Sequence, residues 1–240
     1  MSRVVAINAA RHGSLRVLPQ ADGANRRFAL LGRSELALAA ADFPLCLAKD
    51  AETGRFNLIA LFSLIEARNL FWQGGAWHAT YLPRSAATAP FLLDPAGVCG
   101  LAIDEGSAAI ATAGMPLFLE RDQPSDYLID TQRLLNEVVD DVAQAQAMVD
   151  CFVTHRLVRP LTLIFREEEG REQELAGLYT IGDETLRSLG NEAVLDLHHS
   201  DWLGPAAIIS ASLTQIERLR QLHNATSERQ LVSYALKVEE

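Results

Sequence analysis

The sequence predicts an α+β fold, with a mixed or antiparallel β-sheet in the N-terminal half and helices mainly in the C-terminal half. Three observations lead there. Short apolar runs punctuated by Gly, Pro, Asn and Asp fill residues 3–119. A long stretch with 3.6-residue apolar periodicity opens at Ser125-Asp126. Strands and helices do not alternate strictly, which argues against a doubly wound parallel sheet.

In chain order, residues 3–7 and 15–18 read as short strands around a turn at Arg11-His12-Gly13-Ser14. Residues 34–41 read as a short helix with Ser34 as N-cap and Glu35 in the favourable first turn, closed by Pro44. Leu45–Ala48 is a strand, Lys49–Arg55 a hairpin turn, and Phe56–Leu64 a long apolar strand covered on both faces. Between Asn69 and Pro83, aromatic residues flank Gly74-Gly75, the pattern of a hairpin entering a strand. Phe91–Leu93 and Leu101–Asp104 are short strands, Ala108–Ala111 is a strand continuation or a loop, and Leu117–Leu119 is a further apolar segment. The periodic region then places Leu128, Leu134, Leu135, Val138, Val142, Ala145, Val149, Phe152 and Val153 at 3.6-type spacing, as one helix or as two with a break near 138–142, stopped by Pro160. Leu161–Phe165 is a strand, Glu167–Arg171 an acidic turn, and Glu174–Ile181 the returning partner. Asp183 caps a helix over Glu184–Leu189. Helices follow over 192–201 and 206–222, and the segment 226–240 is either an added strand or frayed.

The chain has 240 residues, 49% of them hydrophobic, enough for one domain spanning 1–240 with its core in 3–222 and a C-terminal tail over 223–240. A net charge of −10 and the absence of any Lys/Arg run argue against nucleic acid and anionic lipid as partners. Cys46, Cys99 and Cys151 are odd in number, widely spaced and set among apolar neighbours, as buried thiols are, which argues against disulfides and against a zinc site. The start, Met1 to Asn8, lacks a signal-peptide pattern, and no window has the apolar length of a membrane span. A cytoplasmic protein without a membrane span is the expectation.

No nucleophile elbow, Walker loop, dinucleotide-binding glycine pattern or Ser-x-x-Lys occurs. No catalytic residue, resident metal or cofactor is therefore assigned. His199-Ser200-Asp201 with His223 has the composition of a non-haem iron ligand set, but its spacing and helical setting fit a polar helix end better. Asp104-Glu105 reads as a turn, because neighbouring strand residues face opposite ways. Glu167-Glu168-Glu169-Gly170 reads as a solvated hairpin tip. The ligand-binding candidates are Trp72, Trp77, Tyr81 and Arg84, which have the chemistry of interface anchors, with core packing as the alternative. His12 joins them, as an acid/base group or as a residue hydrogen-bonded within its turn.

A set of motifs occurs in order: His12 to Val17, Asp42-Phe43-Pro44, Asn69-Leu70-Phe71, Gly75-Ala76-Trp77, Tyr81-Leu82-Pro83, Pro90-Phe91, Leu101 to Asp104, Leu197-His198 and Ser212-Leu213. By these motifs the chain resembles the SapC family of bacterial proteins over roughly residues 5–222. The family takes its name from a gene beside surface-layer secretion genes, so the resemblance implies a surface-layer or cell-envelope context and supplies no catalytic residues. The chain departs from the pattern after Pro83. Where an arginine pair is expected it has Arg84-Ser85, leaving a single guanidinium there for an anion. The expected function is a non-enzymatic binding or accessory protein for a peptide, a protein partner or a small aromatic ligand, with a homo-oligomer possible. The alternatives are an enzyme modifying a protein or peptide, and a structural subunit of a surface array.

Overall fold

The computed structural model describes residues 3–19, 23–65 and 68–239. Met1 and Ser2, at the start of the segment read for a leader, and Glu240 of the expected tail lie outside the described residues.

The chain opens with β1 (Val4–Ala6), the short helix α1 (Ala9–His12) and β2 (Arg16–Val17). The expected turn at Arg11–Ser14 is thus partly helical, because the Asn8 side chain accepts the Ala10 N–H at 2.8 Å and caps α1. After β3 (Phe28–Leu30), a 3-10 turn at Arg33–Glu35 runs into α2 (Leu36–Ala40). Here the local reading needs correction. Gly32, not Ser34, holds the N-cap position, and Glu35 is buried at 1% exposure. The cause is tertiary: Asp141 accepts both the Ser34 N–H and the Ser34 hydroxyl, which takes Ser34 away from capping.

β4 (Leu45–Lys49) and β5 (Phe56–Leu61) form the expected hairpin, whose turn is held by Asp50 accepting the Glu52 and Thr53 N–H groups. β6 (Trp72–Gln73) and β7 (Ala76–Trp77) close on Gly74 and Gly75 at φ 59° and 80°, a region that glycine enters without strain. α3 (Arg84–Ala87), β8 (Phe91–Leu93), β9 (Leu101–Asp104), β10 (Ile110–Ala111) and β11 (Met115–Pro116) follow.

Helix α4 (Asp126–Thr154) is a single 29-residue helix without a break near 138–142, and the Ser125 side chain caps it by accepting the Leu128 N–H. It ends at Thr154 without help from Pro160, which instead lies inside β12 (Val158–Glu167). The proline is tolerated because its carbonyl accepts the Glu239 N–H, so its missing N–H falls where the neighbouring strand is ending. Then come β13 (Glu172–Ile181), α5 (Asp183–Arg187), α6 (Asn191–His199), α7 (Leu203–Ser212), a 3-10 turn at Leu213–Gln215, α8 (Ile216–Thr226) and β14 (Leu231–Val238). Gly182 rather than Asp183 caps α5. The segment expected either to add a strand or to fray adds one.

The architecture is α+β, with antiparallel sheets and helices mostly in the C-terminal half. The largest sheet has the order β14-β12-β13-β4-β5-β3, so three of its strands come from each half of the chain. The halves meet where β13 pairs with β4, at Leu178–Ala48 and Tyr179–Leu47. Smaller sheets have the orders β1-β9-β8 and β10-β2-β11.

Two apolar cores result. One lies around the six-stranded sheet, and the other gathers Ile7, Val17, Phe91, Leu101, Ile103 and Leu117. Helix α4 serves both: Leu128 and Leu135 pack in the smaller core, and Ala145, Met148, Val149 and Phe152 in the larger. Among the described residues no helix is long and apolar enough to cross a membrane.

Cys46 on β4 is fully buried, and that burial pushes its thiol from 9.0 up to about 12. The unfolded thiol ionises first, so its contribution to stability is intact below pH 9.0 and is lost as pH rises toward about 12. At a pH 1.5 units above the unfolded value, the loss from this group is about 2 kcal/mol. Urea midpoints of the native chain and of Cys46→Ala, measured below and within this window, should differ below it and converge within it.

Candidate functional site

The segment singled out by its aromatic residues folds inward. Phe43, Phe62, Phe71 and Trp77 stack in one cluster with ring centroids 4.7–6.1 Å apart, mostly edge to face. The Trp77 indole N–H donates to the Tyr81 carbonyl at 3.0 Å. Tyr81 donates its hydroxyl to Glu35 at 2.7 Å, and its N–H goes to Asp42 at 2.8 Å. Burial, followed by the Glu35 hydrogen bond, raises the Tyr81 phenol above its ordinary range. Trp72 is half-buried, with its ring against Gly23. The crevice between Trp72 and Trp77 is about 10 Å³, room for no more than about one water.

Arg84 completes a buried polar network. Its N–H donates to Glu35 at 2.8 Å, and its guanidinium binds Asp141 and the Ser34 hydroxyl. The second Glu35 oxygen accepts the Gly32 N–H at 2.9 Å. The single guanidinium left in this loop is therefore matched to internal carboxylates. A side chain at position 32 would overlap the Asp141 carboxylate, so only glycine fits there.

His12 is likewise inside, at 0% exposure. Its Nδ1 accepts the Asn8 N–H at 2.9 Å, so the ring proton sits on Nε2 and is donated to Glu105 at 3.2 Å. Glu105 also receives Arg11 and Arg3. Desolvation raises its carboxyl, but the His12 and Arg11 hydrogen bonds outweigh this and leave it lowered. Asp104 accepts the Arg3 and Gly106 N–H groups, as a turn residue does. The set His199, Asp201 and His223 does not assemble as a metal site: His223 is buried, and its Nε2 donates to the Arg229 carbonyl at 3.0 Å. At the acidic hairpin, Glu167 is buried and accepts from Gln173, while Glu168 and Glu169 are exposed.

A roomy open concavity lies elsewhere, in a groove of about 740 Å³ between the end of the β12–β13–β14 face and helices α5 and α7. That volume is in the range of small-ligand sites. Tyr234, Leu236 and Val238 of β14 recur at a spacing of two and so line one face. Leu236 and Val238 are 41% and 40% exposed, large apolar side chains left facing open space. The opposite wall is built from Ala207 and Ala211 of α7, whose small side chains keep the groove wide.

One end of the groove is polar. Arg159 pairs with Thr180 across β12 and β13, and both line the groove. The Arg159 Nε donates to the Thr185 hydroxyl at 3.2 Å, which helps to fix the side chain. Thr180 Oγ1 is buried with no hydrogen-bond partner among the described residues, a state that costs stability. At the rim, Asp183 pairs with Arg187 and Glu239 with Lys237. Sequence reading missed this groove. Its walls come from segments separated along the chain, and its only local signals are an arginine beside a proline and the period-two apolar pattern of the tail.

Glu35→Ala should leave the Tyr81 hydroxyl, the Arg84 N–H and the Gly32 N–H without their acceptor, at a cost of about 3–5 kcal/mol. Urea unfolding checks this, with Glu35→Gln expected to lose less. A loss below about 1 kcal/mol, the level of an exposed ion pair, would mean that the network contributes little.

Among comparisons with known proteins, a family model described as SapC matches residues 7–219 of the chain. No curated protein and no solved structure matches it.

Proposed function

The chain belongs to the SapC family, and from that premise we propose that it is a binding protein whose groove takes a short apolar peptide segment ending in a carboxylate, in the service of surface-layer or cell-envelope processes. The observation that carries this reading is the coincidence, in one groove of about 740 Å³, of exposed Leu236 and Val238 with the anchored guanidinium of Arg159.

The chemistry of the pairing is simple. Apolar side chains of the ligand cover Leu236 and Val238 and remove them from water, at roughly 25 cal/mol per Å² of apolar surface. The terminal carboxylate meets the Arg159 guanidinium, whose fork suits it. In this reading Trp72, Trp77, Tyr81, Arg84 and His12 support the scaffold through the contacts described above.

An N-acetylated apolar tetrapeptide with a free C-terminus, labelled for fluorescence anisotropy, is a direct probe. Binding should weaken about tenfold or more in Arg159→Ala and in the C-terminally amidated peptide, on the scale of a lost charge-assisted hydrogen bond. It should vanish in Leu236→Glu, which places a charge on the apolar wall. Unchanged affinity in Arg159→Ala and Leu236→Glu, in proteins with native unfolding midpoints, would remove the groove as the site.

A further inference from the structure

A cluster outside the groove has the donor set of a metal centre. Cys151 and His155 lie four residues apart at the C-terminal end of α4, so their side chains share a face. Asp196 of α6 reaches the same place. His155 Nε2 is 2.7 Å from Asp196 Oδ2, Cys151 Sγ is 4.0 Å from that oxygen, and the three ligand atoms lie within 4.8 Å of one another. From this arrangement we infer that Cys151, His155 and Asp196 form a binding site for a zinc-like divalent ion.

Three arguments support the assignment. The first is donor chemistry: one thiolate, one imidazole and one carboxylate are borderline-soft donors that suit Zn²⁺ and disfavour Mg²⁺ or Ca²⁺. The second is geometry. Around a tetrahedral Zn²⁺ with bonds of about 2.0–2.3 Å, donor atoms stand about 3.3–3.6 Å apart. The His155–Asp196 separation is shorter than that and the Cys151–Asp196 separation longer. One movement of the Asp196 carboxylate, about half an ångström away from the imidazole and toward the sulfur, brings both close to the required values. Asp196 is free to make it, since its side chain is 56% exposed. The third is the helix end: His155 is the C-cap of α4, where the aligned carbonyls favour a cation.

Three protein ligands leave a fourth position for water, as in zinc sites that stay open to exchange. On binding, the Cys151 S–H proton is released to solvent and the sulfur bonds the metal as thiolate, with no change of oxidation state. Without the metal, burial and then the Asp196 charge raise the Cys151 thiol above its ordinary value, so it is protonated at neutral pH. Sequence reading discounts a zinc site for want of paired Cys or His at short spacing, yet Cys151 and His155 are such a pair. The signal here is a Cys-x-x-x-His spacing on a helix, and its third ligand lies on a different helix.

The test uses the full, untagged chain titrated with Zn²⁺ by calorimetry and with Co²⁺ by absorption spectroscopy. The expected result is one equivalent of Zn²⁺ bound with Kd below about 10 μM, on the scale where micromolar affinity corresponds to roughly 8 kcal/mol. Co²⁺ should produce a thiolate-to-metal charge-transfer band. That band should disappear in Cys151→Ala and persist in Cys99→Ala. Zn²⁺ affinity should fall at least about tenfold in His155→Gln and in Asp196→Asn. Circular dichroism and unfolding midpoints of the metal-free proteins verify that each variant is folded, and His155→Gln and Asp196→Asn give independent readings should Cys151→Ala misfold. The inference is overturned if no band forms, if the band survives loss of Cys151, or if binding follows the adjacent His198 and His199 instead. Peptide binding in the groove is a separate measurement, so either result stands without the other.

Discussion

Two carboxylates inside the protein, Glu35 and Asp141, hold together parts of the chain that local rules would leave apart. Asp141 sits midway along α4, between the residues that serve the smaller core and those that serve the larger. Through Ser34 and Arg84 it fastens the helix to the turn before α2 and to the start of α3. Glu35 gathers the Gly32 and Arg84 N–H groups and the Tyr81 hydroxyl around the same arginine. Burying such charges is tolerable only because each finds several donors. The network therefore fixes position more than it adds net stability. With the helix held at that point, its two ends are committed to two different cores.

The strand order follows from this pinning. Strands β3, β4 and β5 form beside the pinned turn, and the C-terminal strands extend the same sheet through β13. β14 then takes the outer edge beside β12. An edge strand has no neighbouring strand to share its cover, and the helix opposite presents alanines. The groove is the space left between them.

Much of the fold was legible because its signals are local. Ser125 before a periodic stretch marks the start of α4, Gly74-Gly75 marks a hairpin, and alternating apolar residues mark β12 and β13. The failures share one physical cause. Ser34 and Glu35 read as a helix start because the competing partner, Asp141, is remote in sequence. Pro160 read as a helix stop, although the helix had already ended and the proline sits where the neighbouring ladder runs out. The aromatic segment leaves interface anchoring and core packing both open, and nothing in its spacing shows that Trp77, Tyr81 and Arg84 have polar atoms matched internally. The groove and the Cys151–His155–Asp196 cluster depend on tertiary proximity, which periodicity does not encode.

The position of β14 also has a practical side. Val238 and Glu239 help line the groove, so a segment attached to this end of the strand begins at the groove's mouth. A purification handle fused there would compete with anything entering, whereas one fused ahead of β1 would start from a strand that takes no part in the six-stranded sheet. The choice of which end to extend thus decides whether the groove stands open or is covered by its own appendage.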